Sequence, residues 1–132
     1  LSMSAFAVAT LYFGLFGFLM LALKLNVGRV RAKEKVMFGD GANEAMQRAI
    51  RVQGNAVEDV PIVLIGIAGL AALAAPVVLI HALGGSFFVA RILHAIGLGG
   101  TSGSSFGRMV GTLVTLIVKL VTAGACVWFA LT

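Results

Sequence analysis

Charge in this 132-residue chain is gathered into one short block, with apolar segments on either side of it. All five acidic residues lie between Glu34 and Asp59, and seven of the ten basic residues between Lys24 and Arg51. A water-facing surface cannot be built this way. Charged residues make up 11% of the chain and hydrophobic ones 60%, against about 25% charged in a soluble domain. Helices of about 20 apolar residues cross a bilayer, and the length holds four of them. The apolar runs place the spans at about 3–25, 44–75, 77–98 and 109–131. The expected fold is all-α, an integral membrane four-helix bundle filling 1–132 as a single transmembrane domain.

The net charge of +5 does not point to nucleic acid, because the basic residues form a loop between two spans rather than a free patch. The first loop carries Arg29, Arg31, Lys33 and Lys35, the third carries Arg108, and the second carries no lysine or arginine. The positive-inside rule makes loops one and three cytoplasmic and puts both termini on the opposite side. Trp128, near the far end of the last span, suits an interfacial anchor. The first apolar run has no basic n-region and exceeds the length of a signal-peptide core, so it reads as a span. The single cysteine, Cys126, excludes an internal disulfide. Turns are expected at "GDG" (Gly39–Gly41) and over the glycine- and serine-rich stretch Gly97–Arg108.

Two spans carry polar residues at helical spacing. At about 100° per residue, Glu44, Arg48, Arg51, Asn55, Glu58 and Asp59 fall within one arc of about 100° on the second span. On the fourth span Arg108, Thr112, Thr115, Lys119 and Thr122 share a second arc of about 80°. The third span adds Arg91 and His94, three residues apart. Charge at membrane depth is costly and faces a bundle interior or a watered cavity. One explanation is structural: Glu44 and Arg48 are spaced i,i+4 for an ion pair, and the fourth-span stripe suits a helix–helix polar contact. The other is a site for an anionic or zwitterionic ligand, with arginines clamping carboxylates and Glu58 taking an ammonium.

Other chemistries lack their residues. His94 has no second histidine at i+3 or i+4 and no cysteine near it, so no metal site is expected. "GLGGTSG" is not a phosphate-binding glycine motif: no strand precedes it and no Walker lysine follows.

The stretch "RAIRVQGNAVEDVPI", with the pattern R-x-x-R-x-x-x-N-x-x-E-x-x-P, resembles the second-helix signature of the MAPEG proteins, the membrane-associated proteins of eicosanoid and glutathione metabolism. "FFVARILHAIGL", Phe87 to Leu98, is similar to the family's third-helix segment, and the size, four spans and basic first loop agree. The resemblance implies a homotrimer that binds glutathione as co-substrate between neighbouring subunits near the cytoplasmic side. It further implies activation of the glutathione thiol as a thiolate, which attacks a lipophilic electrophile or reduces a hydroperoxide. Arg51, Asn55 and Glu58 fall on motif positions that hold glutathione in the family, and Arg48 on a neighbouring basic position. Arg29 or Arg31 matches the basic end of the first helix, Arg91 and His94 match third-helix positions, and Arg108 is the candidate thiolate stabiliser. Implied partners are a lipophilic small molecule, membrane lipid and two further copies of the chain, with no nucleic acid.

The chain also departs from the pattern. Leu98 stands one turn beyond His94, where several family members carry a tyrosine, and Gly54 stands where some carry a basic residue. The expected function is a glutathione-dependent transferase or peroxidase. The alternative is a non-enzymatic structural or accessory membrane subunit that keeps the polar stripe for assembly. A transporter using Lys119 ranks behind both, because no inverted repeat is visible.

Overall fold

A computed structural model of the chain describes residues 3–103 and 105–132. It forms four helices: α1 (Ala5–Glu34), α2 (Glu44–Ala72), α3 (Val77–Gly100) and α4 (Phe106–Leu131). Each is long and apolar enough to cross a membrane, so the chain is an all-α integral membrane protein.

The helix starts follow from local chemistry. Ser4 Oγ accepts from the Ala7 N–H (3.1 Å), Asn43 Oδ1 from Met46 (2.9 Å) and Ser105 Oγ from Arg108 (3.2 Å). Each satisfies a backbone donor that the first helical turn leaves free. α1 runs past Leu25 to Glu34, so the basic residues Arg29, Arg31 and Lys33 lie on its last turns, where the helix dipole favours cations. It stops at Lys35, whose left-handed φ of 57° reverses the chain. The "GDG" turn forms as the sequence expects: Gly39 and Gly41 take φ of 65° and 58°, and Asp40 Oδ1 accepts from the Ala42 N–H at 2.9 Å. α2 continues through Pro61 without a break.

α2 and α3 form the middle of the bundle. α1 packs on both from one side and α4 on both from the other, and among the described residues α1 and α4 do not meet. Phe16 of α1 and Phe87 of α3 stack at 4.9 Å between ring centroids, with Phe88 edge-on to Phe16 at 5.3 Å. The outward faces of α1 and α4 expose Phe13, Phe18, Leu25, Leu116, Leu120 and Leu131, as lipid contact requires.

Lipid is as apolar as a leucine side chain, so close packing rather than hydrophobic burial holds such helices together. The α3–α4 seam shows how. A Cβ at Gly111 would lie 2.6 Å from the Ala90 carbonyl oxygen, and one at Gly107 would lie 2.7 Å from that of Leu93. Gly97 of α3 faces the Arg108 backbone with equally little room. These glycines explain why the connection after α3 is shorter than the composition of Gly97–Arg108 suggests. α3 keeps its helix through Gly100 and α4 begins at Phe106, because the glycines at both ends pack helix on helix instead of opening a loop.

The α1–α2 and α3–α4 connections lie at the same end of the bundle. The Ser102 hydroxyl, after α3, donates to Glu44 Oε1 at the start of α2 at 3.0 Å.

Candidate functional site

Arg91 is the centre of the polar interior. Its residue is 2% exposed, and α3 aims it between α2 and α4. Nη1 donates to Asp59 Oδ2 at 3.2 Å and lies 3.5 Å from Thr115 Oγ1. Nη2 donates to Asn55 Oδ1 at 3.2 Å and points at His94 Nδ1 at 3.4 Å. The other Asp59 oxygen, Oδ1, accepts from Lys119 Nζ at 2.9 Å. One carboxylate of α2 thus holds a guanidinium of α3 and an ammonium of α4. Gly111 makes room for this arrangement, since a side chain there would run into His94 Cβ at 2.7 Å.

The network lies well inside the bundle. Asp59 is about 22 Å along α2 from Glu44, and Lys119 about 20 Å along α4 from Phe106. A lysine at such depth needs a partner, and Asp59 supplies it. Arg91 Nε remains buried without a hydrogen-bond partner among the described residues.

The polar stripe of α2 divides into three environments. Asn55 and Asp59 face Arg91. Arg51 and Glu58 pair with each other at 2.7 Å across two turns on an exposed face, with side chains 49% and 61% exposed. Glu44 and Arg48 form the i,i+4 pair expected from spacing, at 3.2 Å. The α4 stripe divides too: Thr115 and Thr122 are buried, whereas Arg108 and Thr112 line an outward groove of about 420 Å³ with Met109, Leu113 and Leu116. Arg108 Nη1 donates to the carbonyls of Ser102 (2.9 Å) and Gly103 (3.3 Å).

The first-helix arginines differ in use. Arg31 Nη1 donates to the carbonyls of Gly39 (2.8 Å) and Val36 (3.3 Å), bracing the first loop. Arg29 is held by Asn26 Oδ1 at 2.8 and 3.2 Å and lines a cavity with Arg48. Of the residues singled out from sequence, the bundle brings Asn55, Arg91 and His94 into direct contact and sets Arg51 beside Glu58. Arg29, Arg31, Arg48 and Arg108 occupy the same end but engage other groups within one chain.

The network adds Asp59 and Lys119 to the residues that the family motif singles out. Both lay on the polar stripes. What spacing alone did not give is that the two stripes face each other, which depends on how α2 and α4 are rotated in the bundle. Leu98 is 3% exposed and packs in the interior.

Chemically, the ensemble is a cationic site. Arg51, Arg91 and Lys119 stand against Glu58 and Asp59, one positive charge in excess. No metal-binding cluster of His, Cys, Asp or Glu occurs among the described residues.

The chain is 32% identical over 90 residues to the inner membrane protein YecN of Escherichia coli K12, a match spanning 68% of this chain and 69% of that protein. The same match is found with YecN of E. coli O6:H1. No solved structure matches. The model of the MAPEG family matches residues 9–128. That span covers α2 and α3 whole and most of α1 and α4, with the polar stripe of α2 and the Arg91–His94 pair, and the chain belongs to the MAPEG family.

Proposed function

We propose that this chain is a membrane-embedded, glutathione-dependent transferase or peroxidase acting on a lipophilic electrophile or hydroperoxide. The observation that carries the reading is the uncompensated positive charge around Arg91. Two cations, Arg91 and Lys119, share the single carboxylate of Asp59 deep in the bundle, while the adjoining Arg51–Glu58 pair stays exposed within one chain. A charged pair on a membrane-spanning helix faces a bundle interior or a watered cavity, so another subunit or a polar ligand suits this exposed face. A homotrimer with glutathione between subunits supplies both covers.

Glutathione matches the groups on offer. It carries two carboxylates, one ammonium and one thiol. Arg51, with Arg48 and Arg29 nearer the end of the bundle, suits the carboxylates; Glu58 suits the ammonium; Asn55 suits an amide. A neighbouring guanidinium, for which Arg108 is the candidate, lowers a thiol from its free pKa of about 8.5 toward the thiolate. In a transferase the sulfur then attacks an electrophilic carbon, forming a C–S bond as the leaving group departs with its electron pair. In a peroxidase two glutathione molecules are oxidised to the disulfide, and the hydroperoxide is reduced to alcohol and water. Arg91, Asn55, Asp59 and His94 hold one another and fix the wall of the site. The basic loop end is assigned to the cytoplasm by charge, and the naming of YecN as an inner membrane protein supports an inner-membrane location.

The test is glutathione binding to the purified, detergent-solubilised protein, followed by assays of aromatic-halide conjugation and lipid-hydroperoxide reduction. Absence of binding at millimolar glutathione rejects the reading.

One observation favours a second reading, a structural or accessory subunit. Asp59 pairs with Lys119, and Asp59 and Asn55 pair with the two Nη atoms of Arg91, without a ligand, as a structural network does. Under that reading Arg51→Ala and Glu58→Ala break the assembly in detergent and leave no binding to lose.

A further inference from the structure

A cationic cavity lies apart from the Arg91 network, where the last turns of α1, the first turns of α2 and the end of α3 converge. Its volume is about 190 Å³, and it is lined by Asn26, Arg29, Lys33, Glu34, Arg48 and Gly99 together with three small or apolar side chains. The space holds several waters, room for a tetrahedral oxyanion.

Three cationic side chains, Arg29, Lys33 and Arg48, face one carboxylate there, and that carboxylate is engaged: Glu34 Oε2 accepts from Asn43 Nδ2 at 3.3 Å. Arg48 gives Nη1 to Glu44, yet its Nε is buried and has no partner among the described residues. A buried guanidinium N–H left unpaired costs stability, and an acceptor in the cavity removes that cost. Arg29 is pre-oriented by its two bonds to Asn26. Three donors converging from two helices suit an oxyanion with several acceptor oxygens better than a single carboxylate, which one guanidinium fork already saturates. The position also fits: Gly99 is the penultimate residue of α3 and Arg48 lies in the second turn of α2, at the end of the bundle that carries the basic first loop.

We infer that this cavity is a binding site for a phosphate group, presented either by an anionic phospholipid headgroup or by a free phosphate. The cavity shares Arg29 and Arg48 with the set proposed for the glutathione carboxylates, so the variants that test it, at Lys33 and Gly99, lie outside that set and fail or succeed apart from glutathione binding.

The experiment uses the full chain in nanodiscs. In phosphatidylcholine discs, inorganic phosphate is titrated against sodium chloride of equal ionic strength, and the thermal unfolding midpoint is read. In parallel, discs containing phosphatidylglycerol are compared with phosphatidylcholine alone, and retained lipid is counted by native mass spectrometry. Two variants outside the proposed glutathione set are tested: Lys33→Gln, which removes a cation, and Gly99→Glu, which sets a carboxylate at the cavity. A Cβ at Gly99 meets nothing within 4 Å, so the backbone there accepts a side chain, and the thermal midpoint without phosphate checks that the variant is folded. A phosphate-specific rise of a few degrees identifies free phosphate as a ligand. Retention of phosphatidylglycerol with the same rise identifies the headgroup. In either arm both variants weaken the response about tenfold, the loss expected for one charge-assisted contact. The inference is overturned if chloride reproduces the phosphate effect and no lipid is retained, if neither arm responds, or if both variants bind as the parent does.

Discussion

Lys119 of α4 and Asp59 of α2 meet at 2.9 Å in the interior of the bundle, and Arg91 of α3 reaches the other oxygen of the same carboxylate at 3.2 Å. Three helices are therefore joined through one side chain. Removing it leaves two cations without an anion.

Asp59→Leu is expected to destabilise the protein by about 3 kcal/mol, the scale for breaking a buried pair from one side. Lys119→Leu alone costs less, since Asp59 keeps Arg91 and the ammonium is partly exposed. The double variant recovers part of the loss. Unfolding in mixed micelles, treated as a double-mutant cycle, measures the coupling, and zero coupling contradicts the contact.

The α3–α4 seam makes a steric prediction. Gly111→Ala forces a methyl to 2.6 Å from the Ala90 carbonyl and is expected to cost about 1–3 kcal/mol, as overpacking does. Gly124→Ala, on the same helix with nothing within 4 Å, leaves stability unchanged or slightly raised through better helix propensity. Thermal midpoints in detergent separate the two.

Arg51→Ala and Glu58→Ala are each expected to weaken glutathione binding about tenfold or more, the value of a charge-assisted contact, while the oligomer stays intact on size-exclusion chromatography. The pair is half to two-thirds exposed within one chain, so by itself it adds little to stability. A variant that dissociates the oligomer without altering binding per folded chain favours the structural alternative.

Sidedness is testable through the first loop. Met37 is 95% exposed there. In a Cys126→Ser background, Met37→Cys is expected to react with an impermeant thiol reagent in inverted membrane vesicles and to stay protected in intact spheroplasts. A cysteine at Thr132 is expected to show the reverse. The opposite pattern inverts the assigned topology.

Four helices were legible in the sequence because lipid demands long apolar runs, and the polar stripes were legible because charge is so rare among them. The Glu44–Arg48 pair followed from i,i+4 spacing, and the "GDG" turn from its glycines. The meeting of Asp59 with Lys119 and Arg91 was not, because it depends on helix rotation across separations of tens of residues. The length of the α3–α4 connection is hidden in the sequence for a related reason. Gly97, Gly107 and Gly111 carry the composition of a loop but the contacts of a packed helix pair, and only the neighbouring helix reveals which role they play. The same limit applies to Arg29 and Arg31: spacing did not choose between them, whereas the fold ties Arg31 to the first loop and leaves Arg29 at a cavity.

The central claim, that this MAPEG-family chain binds glutathione and activates it as a thiolate, is tested most directly by ultraviolet difference absorbance of the thiolate. Glutathione is titrated into the purified protein at neutral pH, below its free thiol pKa of about 8.5. The account predicts a saturable thiolate signal that is lost in Arg108→Ala. No thiolate signal at saturating glutathione, or a signal unchanged in Arg108→Ala, would contradict it.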